Sequence, residues 1–158
     1  MGDLWVASRE IHEDLHRLIA KNHPDLAAVL DEIVIVFKEK AGHSGGRTVY
    51  GGASRSSPMT NTLAGKDYKF ILTIGSDAWE HELTSKQREA LLDFLLTACR
   101  VEEDKKSGEL KCRVVKPDIL GYRENFERYG FWMPRENEDE EVPPTDPIAD
   151  MMGVRTTN

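Results

Sequence analysis

The run Ala90-Leu91-Leu92-Asp93-Phe94-Leu95-Leu96-Thr97-Ala98-Cys99 constrains this chain more than any other stretch, because its apolar residues fall on most sides of a helix. Thr84 and Gln87, three positions apart, form a capping box in which each side chain satisfies the other's free amide, so the helix starts there. A helix that is apolar around most of its circumference has to be enclosed by other elements. Each large side chain buried on it contributes roughly 1.5 to 3 kcal/mol. The rest of the chain must therefore supply the sheet and helices that wrap it.

The wrapping elements are short. Ser8 caps a helix expected over Arg9 to Lys21, whose inward face is set by Ile11, Leu15, Leu18 and Ile19. Pro24 ends it, and Ile33-Val34-Ile35-Val36-Phe37 reads as a buried β-branched strand. Gly42 to Gly46 reads as a turn, Arg47 to Tyr50 as a second strand broken by Gly51-Gly52, and Ser54 to Gly65 as a surface loop of turn formers. Lys69 to Ile74 is a third strand. After the buried helix, Glu102 to Gly108 is charged and turn-like, Leu110 to Val115 a hairpin arm, and Asp118 to Tyr129 a last helix stopped by Gly130. The pattern implies a small α+β domain over residues 1–134, with a short, mostly antiparallel sheet packed on the central helix and flanking helices. Residues 135–158 are expected to be an acidic, proline-containing mobile tail.

Bulk properties narrow the function classes. A chain of 158 residues suits one domain with a moderate core. A net charge of −7 disfavours general affinity for phosphate backbones, which depends on Lys and Arg. Such charge instead suits attraction to the basic groove of a nucleic-acid-handling protein. Cys99, assigned to the helix, and Cys112, assigned to a strand, read as reduced core thiols. No apolar run approaches the roughly 20 residues of a membrane span, and Met1-Gly2-Asp3-Leu4-Trp5 lacks the features of a signal peptide. The expected location is the cytoplasm.

Three blocks carry a resemblance: Tyr68 to Ile74 with Asp77-Ala78-Trp79, then Leu83 to Asp93, then Val115-Lys116-Pro117-Asp118-Ile119 with Tyr122 and Arg128-Tyr129-Gly130-Phe131-Trp132. Their order and spacing are similar to the phage metallopeptidase domain family, which is zincin-like. The resemblance implies a His-Glu-Leu-x-His zinc motif where this chain has Phe94, Leu95, Leu96, Thr97 and Ala98, and a third histidine where it has Pro117. It also implies a phage or prophage origin, with the host cytoplasm as the place of action. None of Phe94, Leu95, Ala98 or Pro117 offers a side-chain lone pair or takes a proton, so neither ligation nor water activation is expected from them.

His12-Glu13-Asp14-Leu15-His16 spells the zincin motif elsewhere. The two histidines lie one helical turn apart, as zinc binding needs, with Glu13 as the alternative general base. On the helix, however, His12 and His16 border the inward face and Glu13 points to solvent, while Ile19 and Asn22 stand where one zincin class continues with Gly-x-x-His. His81-Glu82-Leu83 imitates the first half of the motif, with Ser85 in place of the second histidine. His43 and His81 fall in expected turns, and no spacing ties them to Cys99 or Cys112 as a metal set. Ser54 to Ser57 lacks the lysine of a phosphate-binding loop. Glu136, Glu138, Asp139, Glu140 and Glu141 form the candidate partner-binding run.

The expectation is a non-catalytic, zincin-like pseudoenzyme without a cofactor, acting by macromolecular binding and inhibiting a host defence or nucleic-acid enzyme. Its partner would be a basic, nucleic-acid-handling host protein, with no direct contact to nucleic acid or membrane. The alternative is a zinc metallopeptidase working through His12, Glu13 and His16.

Overall fold

A computed structural model describes residues 3–44, 46–116 and 122–134. In chain order the elements are β1 (Leu4–Val6), α1 (Arg9–Asn22), a 3-10 segment (Pro24–Glu32), β2 (Ile33–Lys38), β3 (Gly42–Ser44), β4 (Arg47–Val49), β5 (Gly51–Arg55), α2 (Pro58–Ala64), β6 (Phe70–Gly75), α3 (Ser76–His81), α4 (Ser85–Ala98), β7 (Cys99–Glu103), β8 (Leu110–Val114) and α5 (Arg123–Tyr129). The fold is α+β, as the patterning predicts.

The main sheet runs β1-β2-β6-β5. Its centre is a parallel pair, with Ile33 opposite Phe70 and Phe37 opposite Ile74, while β1 and β5 add to it antiparallel. Period-2 alternation explains the burial: Ile33, Ile35, Phe37, Phe70, Leu72 and Ile74 all enter the main core, whereas Val36, Ile71 and Thr73 on the other face are only half-buried. The helices lie against the first face. Leu15, Leu18 and Ile19 of α1 and Leu91, Leu92, Leu95 and Leu96 of α4 meet the strand residues there, so α4 sits in the interior that its composition demands.

Several local expectations change. The stretch 54–65 is not a loop: β5 runs on to Arg55, and Ser57 caps α2 by accepting the Thr60 amide at 3.1 Å, with Pro58 in the first turn. Gly42 to Ser44 pairs with Arg47 to Val49 rather than forming only a turn, which puts His43 on a strand. His81 is the last residue of α3, not a turn residue. Cys99 belongs to β7 and not to the helix, and the strand continues through Glu102 and Glu103 before the hairpin turn to β8. The last helix starts at Arg123, after an extended Tyr122, rather than at Asp118; it runs to Tyr129 and is closed by Gly130 at φ 66°. No helix among the described residues is long and apolar enough to cross a membrane.

Candidate functional site

The start of α4 is fixed from both sides. The capping box is present, with Thr84 N–H donating to Gln87 Oε1 at 2.9 Å and Gln87 N–H donating to Thr84 Oγ1 at 3.2 Å. Gln87 Nε2 also donates to the Trp132 carbonyl at 2.9 Å. On the opposite flank Arg88 donates twice to the Trp79 carbonyl and lies 5.2 Å from the centre of its ring. These ties set the rotation of α4, and hence which residues face which neighbour.

Asp93 is fully buried on α4 and gathers donors from two other helices. Oδ1 accepts Asn22 Nδ2 at 3.0 Å and His23 Nε2 at 2.8 Å; Oδ2 accepts Asn125 Nδ2 at 2.8 Å; Arg128 donates to both oxygens at 3.0 and 2.8 Å. Burial by itself pushes this carboxyl up, but the hydrogen bonds from His23 and Asn125 and the charges of His23 and Arg128 outweigh it and hold Asp93 below its ordinary value. Asn125 is engaged on every side, donating also to the Ala90 carbonyl at 3.0 Å and accepting Trp132 Nε1–H at 2.7 Å. The network clamps the C-terminal end of α1 and the whole of α5 onto α4.

One residue further on, the chemistry stops. Phe94 is half-buried and packs its ring 4.9 Å from Tyr122 and 6.1 Å from Trp132, centre to centre. Leu95 is buried beneath β5, so close that a Cβ on Gly51 would stand 3.3 Å from Leu95 Cδ1 and 2.7 Å from the Thr73 carbonyl. A side chain at position 51 would push the edge strand off the helix. Ala98 is buried, and its carbonyl accepts the Val115 amide at 2.9 Å. Three packed, apolar side chains occupy this face of α4. Pro117 and the acidic run Glu136, Glu138, Asp139, Glu140 and Glu141 lie outside the described residues.

The histidines of α1 are placed differently. His12 Nε2 accepts the backbone N–H of Ile35 at 3.0 Å, and its Nδ1 lies 3.0 Å from the Ser8 carbonyl. A peptide N–H only donates and a carbonyl only accepts, so Nδ1 carries the proton and Nε2 supplies its lone pair to β2. His12 thus completes the ladder where β1 leaves off. His16 is half-buried, while Glu13 is exposed and pairs with Arg9 at 3.3 Å. Among the described residues no group of three or more His, Cys, Asp or Glu is arranged to hold a metal ion. A groove of about 600 Å³ between α1, α3 and α4 has Ile11, Leu18, Trp79 and Leu92 in its lining and charges of both signs around them, and it reaches none of Phe94, Leu95 or Ala98. Burial pushes the Cys99 thiol up to about 12 and raises Cys112 as well, which leaves both as thiols.

The Putative phage metallopeptidase family model matches residues 3–143. The chain belongs to this family. No curated protein and no solved structure matches it. The match begins at β1 and passes the expected domain end at residue 134, so it takes in the acidic run. In a metallopeptidase of the zincin kind the helix carries two zinc-ligating imidazoles and a general base. The phenyl, isobutyl and methyl groups at positions 94, 95 and 98 do not fit that ion: none donates an electron pair. The site residues that the sequence reading passed over are Asn22, His23, Asn125 and Arg128. Their signal was Asp93 itself, a carboxylate in the middle of an otherwise apolar helix, which has to find partners when buried.

Proposed function

We propose that this family member acts without catalysis, binding a macromolecule of the host or phage and inhibiting a host defence or nucleic-acid-handling enzyme. The observation that carries the reading is the filling of α4: Phe94 is built into an aromatic cluster with Tyr122 and Trp132, Leu95 is wedged under Gly51, and Ala98 is buried with its carbonyl tied to the Val115 amide. A hydrolytic site needs an open coordination position and a group to take the proton from water. This face of α4 supplies packing in place of both.

Charge points to the binding element. Residues 135–158 contain seven acids and two arginines, so five of the seven net negative charges reside there and the body is close to neutral. A basic partner would be attracted mainly by that segment, over a screening length of about 8 Å at physiological salt. The rival reading, a zinc peptidase at His12, Glu13 and His16, requires His12 to release the Ile35 amide and leave a buried-edge donor without an acceptor.

The test pairs metal analysis with capture. Untagged protein, refolded with and without zinc, is expected to carry no stoichiometric metal and to leave fluorogenic peptide libraries uncut; one zinc per chain, lost in His12→Ala, would overturn the proposal. Capture from host lysate by the full chain is expected to recover a basic enzyme of nucleic-acid metabolism or defence, and deletion of Glu136 to Glu141 to weaken it.

A further inference from the structure

We propose that β1 is a self-pairing edge through which two copies of this chain join their sheets. The argument begins with hydrogen-bond parity. Glu39 N–H donates to the Asp3 carbonyl at 3.2 Å, and Ala7 N–H donates to the Ile35 carbonyl at 2.9 Å. In an antiparallel ladder, bonded and non-bonded pairs alternate, so Asp3, Trp5 and Ala7 turn their backbone groups toward β2. Leu4 and Val6 therefore turn theirs outward. β1 ends the strand order, and among the described residues no strand lies on that side.

Shortness is the one protection that this three-residue edge has. Leu4, Trp5 and Val6 are 69%, 42% and 59% exposed, and none is a proline or a charged residue. Four backbone groups that no strand of the described residues pairs, beside three apolar side chains, call for an extended, apolar strand. The strand itself meets that description, and its register closes on a two-fold axis at Trp5. Leu4 of one copy then exchanges both hydrogen bonds with Val6 of the other, Val6 with Leu4, and every outward N–H and C=O of the two strands is satisfied.

Side chains agree with this register. Trp5 meets its counterpart as the close, non-bonded pair, with Cα atoms about 4.5 Å apart. Trp5 already lies 6.0 Å from Phe37, and Phe37 5.7 Å from Trp79, so the contact extends an aromatic row that each copy has built. On the other sheet face Leu4 lies beside Val6 of the second copy. Asp3 falls opposite the second copy's Ala7, so no like charges face each other. Two strands of three residues bury less than the roughly 1,200 Å² of a standard interface, so the dimer is a weak one.

Sedimentation equilibrium of the full chain from about 5 µM to about 1 mM, a range matched to weak affinities, is expected to show monomer passing into dimer and no larger species. Val6→Pro removes the outward amide of residue 6 from both copies, and with it two of the four intermolecular bonds, while the bonds from Asp3, Trp5 and Ala7 to β2 remain. The dissociation constant is expected to rise about tenfold or more. Leu4→Lys leaves the backbone intact and places a charge in the apolar contact; it is expected to weaken the dimer similarly, and it decides the matter if Val6→Pro loses its circular-dichroism signature. A wild-type chain that stays monomeric throughout, an open series of oligomers, or a dimer indifferent to the folded variants would each overturn the proposal.

Discussion

Replacing Asp93 by alanine would remove the acceptor on which three helices converge. The magnitude follows from what is left behind. Arg128 is partly exposed, 29% at its side chain, and recovers water when the carboxylate goes. His23 and Asn125 are 6% and 1% exposed and do not, so two donors aimed at Asp93 lose their acceptor, at about 1 to 3 kcal/mol each. Together these two stranded donors put the loss at about 3 to 5 kcal/mol, as for other broken buried pairs. That is a large part of the roughly 5 to 15 kcal/mol that holds a domain together. Urea denaturation at pH 7 is the assay, and at a slope of about 1.5 to 2 kcal/mol per molar the midpoint should fall by about 1.5 to 3 M. Asp93→Asn keeps one acceptor but turns an amide toward the Arg128 side, so it should lose about half as much. The pH dependence has a definite sign. The folded carboxyl titrates below its ordinary value of 3.8, so its stabilisation is complete above about pH 4 and fades as pH falls through the folded value. The gap between wild type and Asp93→Asn should therefore narrow in acid. A loss under about 1 kcal/mol for Asp93→Ala, within reach of an ordinary surface change, would refute the clamp.

Further outcomes follow from single contacts. His12→Ala removes the acceptor of the Ile35 amide and should lower stability by about 1 to 3 kcal/mol whether or not zinc is present; a zinc-dependent loss would favour a metal role for His12. Thiol labelling at pH 8 should spare Cys99, buried and pushed up to about 12, and proceed slowly at the half-buried Cys112; rapid loss of two thiols from native protein would contradict the packing of β7. Phe94→His, Leu95→Glu, Ala98→His and Pro117→His together should destabilise the metal-free chain, since Leu95 and Ala98 are buried, and zinc should raise its melting temperature; a folded quadruple variant indifferent to zinc would refute the register assigned to α4.

What was legible in the sequence was local. Thr84 and Gln87 announced α4, and β-branched runs announced β2 and β6, because caps and period-2 burial are written within a few residues of each other. The break expected at Gly51-Gly52 falls one residue earlier, at Tyr50, and the two glycines open β5; the first of them is required by the approach of Leu95 and the Thr73 carbonyl. α2 was missed because it buries no side chain at all, so hydrophobic periodicity gave no trace of it, although Ser57-Pro58 is a fair start signal. The partners of Asp93 were out of reach for another reason. Asn22 and His23 precede it by 71 and 70 residues, and Asn125 and Arg128 follow it by 32 and 35. No spacing rule links positions so far apart.

On the proposed reading of α4 as a zincin-like helix without its zinc site, the same geometry explains what organises the core in place of a metal. A zinc ion would tie two turns of the helix to a distant third ligand, and its loss would leave imidazoles and a carboxylate to be solvated. Here the crosslinking is divided between two neighbouring positions on α4. Asp93 draws α1 and α5 inward through directional hydrogen bonds, and Phe94, beside it, closes the gap to Tyr122 and Trp132 by packing. The two are joined, since Trp132 both packs on Phe94 and donates to Asn125, which donates to Asp93. Phe94→Ala should thus weaken more than its own contacts: it opens a cavity beside Trp132 and loosens the donor that holds Asn125. Combined with Asn125→Ala, the losses should fall short of additive by about 0.5 to 3 kcal/mol, as for residues sharing a network. Strict additivity would mean that the aromatic cluster and the Asp93 clamp are independent supports, and that α4 is held by separate neighbours rather than by one coupled network.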